Sequence, residues 1–457
     1  MRKRSKWVLA SMGVVAVGLG TWYGVALARA NAKLRQVYAD LEKAGRPMKA
    51  TDVIPAKVPD EQNAVVLYLR AATMLKTQRA PEKDLLKYLG DLSNAPFKKT
   101  DDPDKLAKQK QDVAELHELM ARDIVAQALA VIEQGTQRPA CQFAHDYEHD
   151  TSLDVPAMQD LRDLIRVLGT KIYFEAEAGQ PQKAWAMIPT LLRFADAGRD
   201  EPGLDNQFSR TGKINYSCWT IRTLCETSPP DAERYKELDG LLTGFDDVKP
   251  IVYATDTERL LVGEKVFNLP EDELYAFLRK DRWTGQDMAP GAGLRLIFRL
   301  TTFRPRFVAD HAAYLKLMSV NTRLLQGPFV RRDSPEYHEI EKSMQWYQIT
   351  NRLAPIAWGT QWMYCHVATS VRMTRTGLAL LQYRQAHGTF PTSLDALGLK
   401  NAMDPYTQQP LRYRAEGEGF IVYSVDEDQQ DNGGITEPLE RRGGRDIVWR
   451  FPEPKTK

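Results

Sequence analysis

The first patterned feature of the chain is an uncharged run from Trp7 to Ala28. As a helix it rises about 33 Å, enough for a hydrocarbon core of about 30 Å. Ala30 to Ala44 continue as a polar helix that stops at Gly45-Arg46-Pro47, with Gly past the end and Pro beyond it. Residues 50–60, with Pro55 and Pro59, read as a linker. Asn63 to Leu75 places Val65, Val66, Leu69, Ala72, Met74 and Leu75 at mostly helical spacing, the mark of an amphipathic helix. After a polar stretch from Ser93 to Asp104, the spacing of Val113, Leu116, Met120, Ile124, Ala128 and Val131 predicts one long helix over 103–133 with a single core face.

Residues 156–226 predict three helices. Leu161, Leu164, Ile165, Leu168, Ile172 and Ala176 form one stripe, and Ala184, Met187, Ile188, Leu191, Leu192 and Ala195 the next, with Gly179-Gln180-Pro181 between them. This turn is similar to that of a tetratricopeptide hairpin, but no second copy follows at its fixed period, so an irregular array of helical hairpins is expected. Pro250 to Leu269, Arg304 to Gln326 and Trp346 to Ala386 predict further helices, with an exposed loop over 285–293. Beyond residue 388 short runs alternate (Leu411 to Tyr413, Phe420 to Tyr423, Ile447 to Trp449), as in short antiparallel strands. The expected fold is therefore mostly α, irregular and tetratricopeptide-like, with an N-terminal transmembrane helix and a small C-terminal α+β domain. The expected divisions are 1–45 (basic tip, membrane helix and polar extension), 46–354 (helical body) and 355–457 (α+β head).

Charge gives the membrane helix a direction. Arg2, Lys3, Arg4 and Lys6 crowd one flank, whereas Arg29, Lys33 and Arg35 are spread and followed by Asp40 and Glu42. The denser cluster should stay cytoplasmic, which places residues 30–457 outside the cytoplasm. Ala26-Leu27-Ala28 and Ala28-Arg29-Ala30 also resemble signal-peptide cleavage sites, although the apolar run is longer than a signal needs. Either reading exports the body. Over 457 residues, 62 Lys+Arg against 60 Asp+Glu leave a net charge of +2, without the basic excess of a general nucleic-acid binder. Four Cys are too few for a disulfide framework. Cys218 and Cys225 sit about 10.5 Å apart along a helix, beyond the reach of a bond between them. Pairing of either with Cys141 or Cys365 stays open beside the alternative of small buried thiols.

The most specific motif lies at the C-terminal end. A helix runs into Tyr383-Arg-Gln-Ala-His-Gly388-Thr-Phe390-Pro391, then come Asp404-Pro405-Tyr406, the strand-like runs, Asp426-Glu427-Asp428, Gly433-Gly434 and Arg445-Asp446-Ile447. This order resembles the soluble head of the major pseudopilins of type II secretion systems. The resemblance implies a calcium ion bound by the acidic loop and the late aspartate, with Asp426, Asp428, Asp431 and Asp446 as side-chain ligands. Calcium takes six to eight oxygens, which three close carboxylates and neighbouring carbonyls are able to supply. The chain departs from the family in having Thr407 and Asp426 where it usually has Gly, and in lacking a leader and a membrane helix joined directly to the head. The remainder, with Cys141-Gln-Phe-Ala-His-Asp-Tyr147, resembles membrane-anchored helical bacterial proteins that end in such a head. That resemblance implies a periplasmic body on the bacterial inner membrane, and no activity.

Two other clusters bear on function. His145-Asp-Tyr-Glu-His149 would suit a zinc shared by both histidines with Glu148 or Asp146 as base if it were helical, but Pro139 and Pro156 favour a loop. Arg295 to Arg306 carries four Arg and no acid among Leu, Ile and Phe, a pattern that suits an anionic lipid surface or a snorkelling helix face. A nucleophile elbow, P-loop, dinucleotide fingerprint and Cys-x-x-Cys are all missing from the sequence, so no catalytic residue is expected. The leading expectation is a membrane-tethered extracytoplasmic scaffold or binding protein whose head is stabilised by calcium and meets other envelope proteins. A component of a type II-like secretion or pilus assembly comes second, and a metal-dependent hydrolase built on His145 and His149 third.

Overall fold

α1 (Arg2–Lys43) is one unbroken helix. It holds the one stretch among the described residues that is long and apolar enough to cross a membrane, and the fold buries none of that apolar window. The computed structural model describes residues 2–80, 83–97, 100, 102–150, 152, 153, 155, 157–279, 298–344, 347–353, 355–399, 402–435 and 445–453. The expected loop over 285–293 lies outside the described residues, as does the start of the arginine-rich stretch.

α2 (Ala64–Lys76) opens at Asn63, whose side chain accepts from the Val65 N–H and so caps the helix. α3 (Leu85–Leu92) follows, and then the expected long helix proves to be two, α4 (Pro103–Met120) and α5 (Asp123–Gly135). The residues buried are Leu116, Leu119 and Met120 on one side of the break, then Val125, Ala128, Val131 and Ile132 on the other. The five-residue step from Met120 to Val125 does not fit a 3.6-residue period, so a straight helix would turn one of the two stripes outward. Arg122, extended at φ −66° and ψ 137°, takes up the difference.

α6 (Met158–Glu177), α7 (Pro181–Asp196) and α8 (Leu204–Thr227) form at the expected places and pack on one another. Gly179 at φ +72° allows the sharp turn between the first two. The hairpin is not repeated along the chain among the described residues, so a tetratricopeptide-like array is not seen. α9 (Ala232–Leu242) and α10 (Lys249–Thr257) follow, then a π-helical turn over Glu258–Gly263 and α11 (Glu264–Phe267). The Glu258 carbonyl, at the start of that turn, also accepts from the Tyr314 hydroxyl at 3.4 Å. Gly263 is needed there, because a Cβ would lie 2.1 Å from that tyrosine ring.

After α12 (Glu271–Arg279) come α13 (Arg304–Gln326) and α14 (Pro335–Met344). The segment expected as one helix over 346–386 is again two, α15 (Gln348–Leu353) and α16 (Pro355–His387). A proline has no backbone N–H to continue the ladder of α15, and Pro355 opens α16 at its first position, where that loss costs nothing. The buried Asp310 carboxylate caps α15 by accepting from the N–H groups of Ile349 at 3.0 Å and Thr350 at 2.9 Å.

The strands are β1 (Arg412–Glu416), β2 (Gly419–Ser424) and β3 (Ile447–Phe451), an antiparallel meander in that order. Val422 faces Tyr413 on one side and Trp449 on the other, so alternate residues of the sheet share one face. That face, with Phe420, Val422 and Trp449, joins an apolar core that also contains Val371 and Leu378 of α16, Ile214 and Ile221 of α8 and Ile188 of α7. The core is continuous across the division expected at 354/355.

The polar end of α1 is built into the body. Val37 and Leu41 are buried with Val266, Phe267, Tyr314 and Leu315 in a second apolar cluster, and α1 lies along α13. The Tyr38 hydroxyl donates to Glu264 at 2.8 Å, and His311 pairs with the same carboxylate at 3.0 Å. Just past the helix, Arg46 pairs with Asp256, and the Pro47 carbonyl accepts from Arg259. Asp256 also lies 3.6 Å from Arg259, a side chain only 1% exposed.

Candidate functional site

Three places gather chemistry, and the acidic loop of the head comes first. Residues 426–435 fold across the second face of the sheet. Asp431 accepts from the Tyr423 hydroxyl at 2.9 Å, the Gly433 N–H at 3.0 Å and Arg412 Nε at 3.2 Å. Asp446 accepts from the Gly434 N–H at 2.7 Å and the Asn432 N–H at 3.5 Å. Asp426 accepts from the Glu427 N–H at 2.8 Å, and Asp428 from the Gln430 N–H at 3.0 Å. Burial pushes the carboxyls of Asp426 and Asp446 above the usual range. It also acts on Asp431, but the Gly433 N–H, Tyr423 and Arg412 together hold that group low.

Each such donor takes one of the roughly four lone-pair sites of a carboxylate. Among the described residues, no three His, Cys, Asp or Glu side chains are placed to hold a metal ion. All four aspartates are engaged by the protein's own donors, and Asp446 pins the Asn432-Gly433-Gly434 turn through backbone N–H groups. Gly434, at φ +80°, lies where a Cβ would meet Ile421 at 2.4 Å, which lets the loop close on the sheet.

Asp404 does related work in the same head. Its Oδ1 accepts from the Tyr406 N–H and the Ser424 hydroxyl, both at 2.9 Å, and its Oδ2 from the Val425 N–H at 3.1 Å. The Asp404-Pro405-Tyr406 motif thus clamps the end of β2. Arg331 of the body donates to the Asp428 carbonyl at 2.7 Å, tying the acidic loop down from outside.

The histidine cluster is a loop, as Pro139 and Pro156 suggest, and its two rings do not converge. His145 Nε2 lies 2.5 Å from Glu201, with both side chains almost fully buried, and Glu201 also accepts from the Phe143 N–H at 3.2 Å. His149 stays exposed beside Asp146, at 2.9 Å. The shared zinc that a helix would have allowed has no geometry here.

Glu201 instead belongs to a buried polar knot at the elbow between α7 and α8. Gln207 Nε2 donates to the carbonyls of Gly198 and Arg199, each at 3.1 Å, and of Glu201 at 3.2 Å. Arg210 Nε donates to Asp196 at 2.9 Å, and Lys213 Nζ reaches the Ala197 carbonyl at 3.4 Å. The elbow carbonyls find no partners of their own in regular structure, so the first turns of α8 supply them, as buried polar groups require. Cys141, Cys218, Cys225 and Cys365 are all free thiols.

Lys213 is 3% exposed, and burial lowers its pKa to about 8. A lysine in that state has the chemistry of an amine nucleophile, but it is almost fully buried and its contact with the Ala197 carbonyl is that of a structural brace. The sign of its effect on stability is fixed. Between pH 8 and about 10.4 the unfolded chain keeps the lysine proton while the folded chain has lost it, so stability rises with pH across that window. Lys213→Met is expected to be more stable than the parent at pH 7, by about 3 kcal/mol at most. The gap should narrow as pH rises from 8 to 10, as read from chemical unfolding of the two proteins side by side.

The third place is concave. A groove of about 670 Å³ runs between α4 and α6, lined by Leu106, Lys110, Val113, His117, Tyr173 and Phe174 among others, a size that suits a ligand or a peptide side chain. Tyr173 and Phe174 give it an aromatic side, with His117 edge-on to Phe174 at 5.1 Å between ring centroids, and behind it Tyr173 meets Phe97 at 4.9 Å. Exposed Lys110 and Glu118 sit at the rim. The sequence marks Tyr173 and Phe174 only as residues beside a core stripe. Their half-exposure follows from where α4 comes to rest after the break at Ala121, which the periodicity does not show.

No protein-family model matches the chain, and neither a curated protein nor a solved structure is significantly similar to it.

Proposed function

We propose that the protein is a membrane-tethered, extracytoplasmic scaffold or binding protein. In this reading the first part of α1 crosses the bilayer and the basic tip of Arg2, Lys3, Arg4 and Lys6 stays in the cytoplasm. The body and head stand on the other side. The head is pseudopilin-like, with its acidic loop closed on the sheet by the protein's own hydrogen bonds. The groove between α4 and α6 receives an apolar or aromatic segment of a partner in the envelope, with Lys110 and Glu118 available for polar contacts at its edge.

One observation carries the reading. α1 is a single helix whose apolar part is left bare by the fold, while Val37 and Leu41 further along it are buried in the body. A bare apolar rod joined rigidly to a folded domain needs an apolar environment, and a bilayer supplies one of the right thickness. The test is fractionation with a topology reporter fused after Lys457. The chain should stay in the membrane pellet through alkaline extraction, with the reporter active only outside the cytoplasm. Release into the soluble fraction, or a reporter active in the cytoplasm, overturns the proposal.

A further inference from the structure

We propose that the protein meets the membrane at a second place, the short segment around Phe303, which rests in the outer part of the leaflet beside α1 and binds anionic phospholipid. The inference rests on the reading of α1 as a membrane span and adds a lipid-binding surface to the body.

Residues 298–302 are helical, the chain bends at Phe303, and α13 starts at Arg304. This bend sorts the side chains. Phe298, Thr301 and Pro305 turn into the fold, whereas Arg299, Leu300, Phe303 and Arg304 face outward. Leu300 is 50% exposed and Phe303 39%, an apolar pair with a guanidinium on either flank. A soluble surface seldom gathers such a patch without a partner.

The position of the patch names the partner. The Phe303 ring lies against α1, 6.2 Å from Trp22 in a stacked arrangement and 5.5 Å from Tyr23 edge-on. Trp22 and Tyr23 belong to the apolar run itself, about 8–9 Å before its end at Ala28 by the helical rise. If the run fills the hydrocarbon core, Phe303 is level with the outer acyl region, and Leu300 beside it faces the same layer. Trp and Tyr are enriched towards the membrane–water interface, on the side where this level lies. Arg299 and Arg304 flank the patch, and their long stems snorkel outward towards the phosphates, whose oxygens pair with guanidinium forks. The body is thereby held at two points, which fixes its tilt on the surface.

The test uses the full-length chain in vesicles of phosphatidylcholine and phosphatidylglycerol, with single labelling sites for an environment-sensitive fluorophore. Leu300→Cys reports the patch, Trp22→Cys the span, and Glu418→Cys, on the exposed β1–β2 turn, the aqueous side. The unsubstituted chain corrects for labelling of the native thiols. Quenching by lipids spin-labelled on the acyl chain should be similar at 300 and 22 and several-fold weaker at 418. Strong quenching at 22 with none at 300 overturns the lipid contact while leaving the span intact. Quenching at neither position removes the span, and the second contact falls with it. A label at 300 that is shielded from both lipid and aqueous quenchers means that a second copy of the chain covers the patch, which also overturns the proposal.

Discussion

Asp256→Ala is expected to cost about 3–5 kcal/mol of stability, the range for removing one partner of a buried ion pair. The carboxylate sits between Arg46, just after α1, and Arg259 in the π-helical turn, and Arg259 is buried. Without Asp256 that guanidinium remains in the interior facing the Pro47 carbonyl, with one of its terminal nitrogens already unpartnered. Glu264 is near enough to feel the Arg259 charge, but its oxygens are engaged by His311 and Tyr38. The decisive comparison is a double substitution. Adding Arg259→Met to Asp256→Ala should restore most of the loss, because the stranded charge goes with it. Chemical unfolding in detergent micelles measures all three proteins. A loss below about 1 kcal/mol in the single variant, the size of an exposed pair, would mean that another group neutralises Arg259.

Trp449→Ala is expected to be as costly, about 3–5 kcal/mol by the large-to-small scale for core aromatics. The indole is 3% exposed, lies 5.4 Å from Phe420 and has Arg222 of α8 over its ring at 5.8 Å. Its seat is Gly377 in α16, where a Cβ would come within 1.8 Å of the ring. Gly377→Ala alone should therefore destabilise the protein, even though alanine favours a helix by about 1 kcal/mol. In the Trp449→Ala background the same change should be neutral or helpful, since the new methyl enters a vacated space. Thermal unfolding of the four proteins reads this coupling. Additive effects would show that the indole does not seat on Gly377.

The sequence made most helices legible because their apolar stripes face one core. α6 and α7 are bounded by Gly179-Gln180-Pro181, and the strands fall within a few residues of the expected runs. It failed where continuity depended on packing. The stripe from Val113 to Val131 looks unbroken, and only the placement of Met120 and Val125 in one core reveals the slip between α4 and α5. α8 hid a different feature. Asn206, Gln207, Arg210 and Lys213 are polar, yet they are buried, and Gln207 and Lys213 donate to carbonyls of the elbow from Ala197 to Glu201. The two glycines around that elbow, Gly198 and Gly203, were the available signal. In the head, the run from Asp426 to Asp431 forms a loop, but side-chain identity alone does not say which neighbouring donors reach its carboxylates or that of Asp446. Here the Tyr423 hydroxyl, Arg412 and the backbone of Gly433 and Gly434 reach those oxygens.

α16 has a consequence for how such a chain is able to diversify. Its Val371 and Leu378 pack with Ile214 of one region and Phe420 of the other, so the sheet at the C-terminal end and the helices before it share one wall. Gene fusion or recombination at residue 354 would carry that wall away with the tail and strip the remaining helices of it. The tail is therefore poorly suited to exchange as a module, and its sequence and that of α8 are bound to change together.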